Sequence, residues 1–275
     1  MSLNSGWPEA NQETVSPPTA PQPAFSSSHQ AAPENPPFSG WDVAKIGLLM
    51  FVVPVLASPL VIVFAQKFFY RQSPFAEVAQ KPWVLLAPQF LWFAVVALYL
   101  ISFMKARFGQ TLWEAIRWNW PKQGWLALVG IGIATLIVLQ ALEHLLPLPK
   151  KGPFDEFFKR PLDAYAFAFL AIAFAPFMEE LFFRGFLYPV LARRLGVAVG
   201  VFLTALPFAL IHVFEYKAWG PVLVVFLVGV VLTLVRAKKQ SVAASFIVHA
   251  IYNGVPIIAA IIASHGFQQL DKIAP

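Results

Sequence analysis

The sequence predicts an all-α, polytopic membrane helical bundle of about seven transmembrane helices, with eight as the upper count. Three observations predict it. Of the 275 residues, 58% are hydrophobic and only 12% are charged, against about 25% charged in a typical soluble domain. The apolar residues are gathered into long runs, close to the roughly 20 residues a helix needs to cross ~30 Å of hydrocarbon. The 27 Phe and 9 Trp suit lipid-facing surfaces and interfacial aromatic belts. A net charge of +6 fits loops that face anionic lipid. No nucleic-acid-binding module is present, so lipid is an expected partner and nucleic acid is not. The chain has no cysteine, which excludes disulfides, thiolate metal sites and a cysteine nucleophile.

Residues 1–40 are polar and rich in Pro, Ser, Ala and Gln. They read as a disordered tail, because they cannot bury enough apolar area to offset their ordering entropy; a partner-binding Pro-rich segment is the alternative. No basic stretch leads into an apolar core there, so the first membrane helix, not a cleaved signal peptide, is the expected targeting signal. Residues 41–163 hold the N-terminal membrane helices and loops, with apolar runs at 42–69 (interrupted by Pro54 and Pro59), 83–104 and 125–146. An amphipathic stretch at 111–120 suits the membrane interface. Residues 164–265 hold four more runs, at 164–191, 197–214, 221–235 and 241–263, whose short connections favour antiparallel neighbours. Residues 266–275 form a short C-terminal tail. Lys and Arg divide almost evenly between the two sides, so the positive-inside rule assigns no orientation. Gly196 and Gly200 make a GxxxG pattern, read as close packing within the bundle.

Charge at the centre of a membrane helix costs roughly 2.5–3.5 kcal/mol. The fourth run nevertheless contains Glu179, Glu180 and Arg184. Residues four apart on a helix are neighbours, and successive residues turn by ~100°. Glu180 and Arg184 therefore pair. Glu179 points away from them and needs a partner on another helix, a water or a proton, which suits a general base. The alternative is one structural ion cluster bracing the bundle.

The fifth run supplies His212, with Phe208 one turn earlier and Pro207 loosening the helix; a satisfied core histidine is the alternative. The seventh supplies His249 and Asn253, four apart. Ser241 and Ser245 continue that stripe, and Gly254 and Pro256 weaken the helix just beyond it. Interhelical hydrogen bonding suits the two serines better than the His–Asn pair. His29, His144 and His265 lie in the tail, at a span end and past the last span. A carboxylate, two imidazoles and an amide can activate water and hold an oxyanion. Glu179, His212 and His249 could equally hold a divalent metal such as Zn²⁺ with water in the open position. The residues leave both mechanisms open. There is no HExxH and no Gly-x-Ser-x-Gly elbow, and Asp42, Asp155, Asp163 and Asp271 lie at span ends or in loops.

Glu179-Glu180-Leu-Phe-Phe-Arg184 resembles the EExxxR motif of the CAAX-protease and bacteriocin-processing (CPBP, or Abi) family of intramembrane proteases. Phe208-Ala-Leu-Ile-His212 resembles its FxxxH, and His249-Ala-Ile-Tyr-Asn253 its HxxxN, in the same order. The resemblance covers residues 164–260. It implies a multi-pass protease of the cell membrane with its site in a cavity within the bilayer, and makes 164–265 the catalytic core. It implies that Glu179 is the general base, that His212 positions the water, that His249 and Asn253 stabilise the oxyanion, and that Glu180, Arg184 and Phe208 support the site. The family was first labelled metal-dependent, and a metal-free glutamate mechanism is favoured for some members, so the implied cofactor is Zn²⁺ or none. The implied substrate is a peptide or lipidated protein. Eukaryotic members cleave the last three residues from prenylated CaaX proteins; bacterial relatives are associated with peptide maturation or bacteriocin self-immunity. A non-enzymatic immunity or scaffold protein using the same cavity is one competing function. A proton-coupled transporter is another, weakened by the lack of an inverted repeat of broken helices.

Overall fold

Each apolar run becomes a helix. A computed structural model describes residues 1–2, 34–147 and 154–269. Among the described residues, seven helices are long and apolar enough to cross a membrane, and there is no strand. They are α1 (Gly40–Phe68), α2 (Pro82–Phe108), α3 (Trp125–Glu143), α4 (Pro161–Leu195), α5 (Val197–Tyr216), α6 (Trp219–Lys239) and α7 (Val242–Ala263). The chain is thus an all-α polytopic bundle.

The helices run past the apolar stretches wherever polar ends find partners. α4 starts on Pro161, a residue suited to the first helical turn, and runs for 35 residues. α6 continues beyond the expected end at residue 235, because the buried Arg236 is met by the Glu34 carboxylate at 2.8 Å. Glu34 and its neighbours are a correction to the expected tail. Residues 34–39 pack on the bundle: Phe38 is buried against Phe186, ring centres 4.8 Å apart. Ser39 caps α1 in a reciprocal pair with Asp42, at 3.0 and 3.3 Å. Residues 3–33 lie outside the described residues. At the other end Phe267, expected in a tail, is buried against Ala164 and Ala168, while 270–275 lie outside the described residues.

Three stretches of π-helix interrupt the regular winding, at Leu48–Val52, Leu170–Phe174 and Leu181–Leu187. Each is followed two residues later by a proline: Pro54, Pro176 and Pro189. Proline lacks an N–H and its ring crowds the carbonyl four residues back. The wider π turn just ahead relieves that crowding without breaking the helix. The expected interruption of α1 at Pro54 and Pro59 is accordingly absent, and the Ser58 hydroxyl donates to the Pro54 carbonyl at 2.8 Å.

The core lies behind α4. Met178, Leu181, Phe182, Phe183 and Phe186 pack with Ile46 and Met50 of α1 and with Val96, Leu100 and Met104 of α2. The other side of α1 exposes Val55, Leu56 and Leu60, as a lipid-facing surface does. Gly196, at φ +82°, turns α4 into α5, and Gly200 leaves room only for the Ala192 backbone, so this GxxxG pattern packs within the bundle. α7 lies along α3. A Cβ on Gly132 would sit 2.7 Å from Ile251 Cγ2 and 3.0 Å from the Val248 carbonyl oxygen.

The α3–α7 contact therefore depends on a missing side chain. Gly132→Leu is expected to cost about 1–3 kcal/mol through overpacking, read as a lower unfolding temperature in detergent. Gly130→Leu, with open space around its Cβ position, is the control, and equal melting of the two variants would contradict the tight contact.

Candidate active site

The site is built where α4, α5, α6 and α7 meet. Between two π stretches, α4 carries the regular segment Ala175–Glu180. π bulges recur at functional sites because they re-aim side chains, and here they bracket the acidic pair. Glu180 and Arg184 are both fully buried, and Nη1 of Arg184 donates to Glu180 Oε1 at 2.9 Å. α6 completes the guanidinium's coordination: Nε donates to Thr233 Oγ1 at 3.2 Å and Nη2 to the Gly229 carbonyl at 2.9 Å. The face of Phe208 lies against it, 4.4 Å from the Arg184 Cζ to the ring centre. Glu180 Oε1 also receives Nδ1 of His249 at 3.0 Å. Spacing along one helix gives the Glu180–Arg184 pair but not this second partner, which comes from α7.

Glu179 is different. It is one-fifth exposed and lies 4.0 Å from His212 Nε2 and 3.7 Å from His249 Nε2. Both separations exceed a direct hydrogen bond, and a water serving both partners would sit beside the gap, on its cavity side. The far nitrogens of both rings are occupied. His212 Nδ1 is 2.8 Å from the Phe208 carbonyl oxygen. A carbonyl only accepts, so Nδ1 carries a proton and Nε2 faces Glu179. His249 likewise has Nδ1 on the Glu180 carboxylate and Nε2 toward Glu179.

Asn253 reaches the same cavity wall. One of its amide hydrogens is committed: Nδ2 donates to the Ala171 carbonyl, inside the first π stretch of α4, at 2.9 Å. Its second amide hydrogen is not used by that bond. The serine stripe mainly serves its own helix, although Ser245 also interacts with the Glu180 carboxylate. Ser241 caps α7 and bonds the Asn119 carbonyl, and Ser245 donates back to Val242 within its own helix. Phe208, 2% exposed, packs against both His212 and His249, with ring centres at 5.4 and 5.9 Å. All seven expected site residues are thus brought together. His144 and His265 are exposed at helix ends, and His29 lies outside the described residues.

A cavity of about 800 Å³ opens onto Glu179, His212, His249 and Asn253. Aromatic residues from the start of α4 and the stretch before it, among them Phe157, Phe158 and Phe167, form one wall. Glu143, Glu215, Tyr216 and Tyr252 add polar groups. Thr233, Gly229 and these wall residues were not picked out from the sequence. Their only trace there is a Thr four residues after a Gly in an apolar helix, and polar residues at span ends. Among the described residues no three His, Asp or Glu side chains are grouped so as to hold a metal ion.

Residues 161–255 match the family model for type II CAAX prenyl endopeptidases, Rce1-like. The match begins where α4 begins and includes all three motifs, and it is to the family they resemble. No curated protein and no solved structure matches the chain.

The buried pair predicts an asymmetry. Arg184→Leu strands the Glu180 carboxylate and is expected to cost about 3–5 kcal/mol, whereas removing both charges costs less. Chemical unfolding of Arg184→Leu and of Glu180→Leu/Arg184→Leu in detergent measures this. A double variant no more stable than the single one would contradict the pairing.

Proposed function

Taking the match of residues 161–255 to the CAAX prenyl endopeptidase family as the premise, we propose that the chain is an intramembrane endopeptidase of the cell membrane. It cleaves a peptide bond in a membrane-associated or lipidated substrate. The observation that carries the reading is Glu179, a carboxylate that is not the one bonded to the Arg184 guanidinium. It faces the Nε2 atoms of two histidines at 4.0 and 3.7 Å, in a cavity bounded by membrane helices.

The steps follow from which groups are free. A water held between Glu179 and His212 gives its proton to the Glu179 carboxylate, and its oxygen attacks the scissile carbonyl carbon. Negative charge develops on the carbonyl oxygen. The uncommitted amide hydrogen of Asn253, and Nε2 of His249 when both its nitrogens are protonated, donate to that oxygen. The C–N bond then breaks, and the proton held on Glu179 passes to the leaving amine. Glu180 touches no reacting atom; together with Arg184 it fixes the His249 ring from behind, as second-sphere partners fix catalytic imidazoles elsewhere. The aromatic wall suits an apolar chain on the substrate, and the acidic wall its polar peptide portion.

The test uses purified protein and a lipidated reporter peptide in detergent or bilayers. Wild type is expected to cleave it, and Glu179→Gln to lower turnover at least about 100-fold, the scale of general-base loss, without unfolding. Because no step passes through a metal, chelator is expected to leave the rate unchanged. Cleavage surviving in Glu179→Gln would refute the base, and loss on chelation reversed by Zn²⁺ would refute the metal-free route.

A further inference from the structure

We propose that Glu34, on the segment ahead of α1, is a positioning residue for this site and acts through the register of α6. The proposal rests on the hydrolytic reading above. Glu34 is 7% exposed and touches none of the site residues. Its carboxylate takes both terminal nitrogens of Arg236, at 2.8 and 3.4 Å, and Arg117 Nη1 lies 3.4 Å from it. Arg236 is 1% exposed, so the pair forms away from water and is not weakened as a surface pair would be.

What makes the pair matter is where Arg236 sits. Gly229, Thr233 and Arg236 are spaced by four and three residues, which places them along one face of α6. Gly229 and Thr233 are the two groups that receive the Arg184 guanidinium. A helix slipped by one residue moves its acceptors ~1.5 Å along the axis and ~100° around it. Most of α6's other contacts near the site are apolar. The close approach to α5 at Gly229, where a Cβ would sit 2.9 Å from Phe208 Cδ1, limits separation and does little against sliding. The Glu34–Arg236 bond supplies the directional hold. It reaches the site through Arg184, then Glu180, then His249, each by a hydrogen bond already on the page.

The same carboxylate steadies a second route. Arg117 accepts the Val242 N–H at 3.0 Å on its carbonyl and bonds the Gln240 side chain, which fixes the turn into α7 seven residues before His249. The segment bearing Glu34 is itself held down. Arg193 at the end of α4 donates to the Pro36 and Phe38 carbonyls at 2.9 and 3.3 Å, and Phe38 is buried on Phe186.

The experiment uses the full chain and two readouts. The sequence has no cysteine, so Val225→Cys, on α6 and lining the cavity, supplies a single reporter thiol whose maleimide labelling rate reads the position of the helix. Glu34→Gln is expected to lower kcat about fivefold with KM unchanged, and to change the labelling rate of Val225→Cys by a similar factor. Glu34→Asp is expected to restore most of both. Unchanged kcat and labelling in Glu34→Gln, even with a lower melting temperature, would reduce Glu34 to a structural residue and overturn the proposal. A fall in kcat without any change in labelling would overturn the route through α6. If wild type cleaves no peptide, the proposed function fails while the labelling arm still decides whether Glu34 sets α6.

Discussion

The fully buried contact between Arg184 and Glu180 is the constraint on which the rest depends. Neither charge survives alone at that depth, since the cost of an unpaired buried ion exceeds the stability most folds can spare. The guanidinium uses each of its three nitrogens: Nη1 on Glu180, Nε on Thr233, Nη2 on the Gly229 carbonyl, with its face on Phe208. That single side chain ties α4 to α6 and α5. The same Oε1 of Glu180 also meets His249 and so ties in α7. A lysine, with a point charge and no fork, could not make the same set of bonds.

Arg184 and His249 both converge on Oε1 of Glu180, and neither reaches its neighbour in the same way. Glu179, one residue earlier in the same helical segment, turns to the cavity, where two Nε2 atoms lie 4.0 and 3.7 Å away. The π stretches on either side matter here. The first offers the Ala171 carbonyl that anchors Asn253, and the second begins immediately after Glu180. Ionisable groups at membrane depth are costly, and a fold keeps them where they are paired or useful; in this chain one acid is of each kind.

Much of this was legible in the sequence, for physical reasons. Long apolar runs gave the seven helices, because a membrane span has few alternatives. The four-residue spacing of Glu180 and Arg184 gave the pair, and the charges' isolation in an apolar run gave the site. What was not legible involved contacts between helices distant in sequence. Nothing local to Glu180 announces His249, and Thr233 reads as an ordinary residue of an apolar helix. The prolines misled in one direction: read as helix breakers, Pro54 and Pro59 instead sit within a continuous α1, Pro54 just past a π turn. Glu34 misled in the other. Composition assigned residues 34–39 to a disordered tail, yet one carboxylate opposite two arginines and one phenylalanine on Phe186 are enough to seat them. Averaged composition hides such single contacts.

The central claim is that two adjacent glutamates divide the labour, Glu180 holding the structure and Glu179 facing the chemistry. Glu179→Gln and Glu180→Gln measured side by side, for unfolding temperature and for peptide cleavage, test it most directly. The account predicts that Glu179→Gln keeps the wild-type melting temperature and loses turnover, while Glu180→Gln melts several degrees lower. A Glu179→Gln variant that melts early, or a Glu180→Gln variant as stable as wild type, would contradict it.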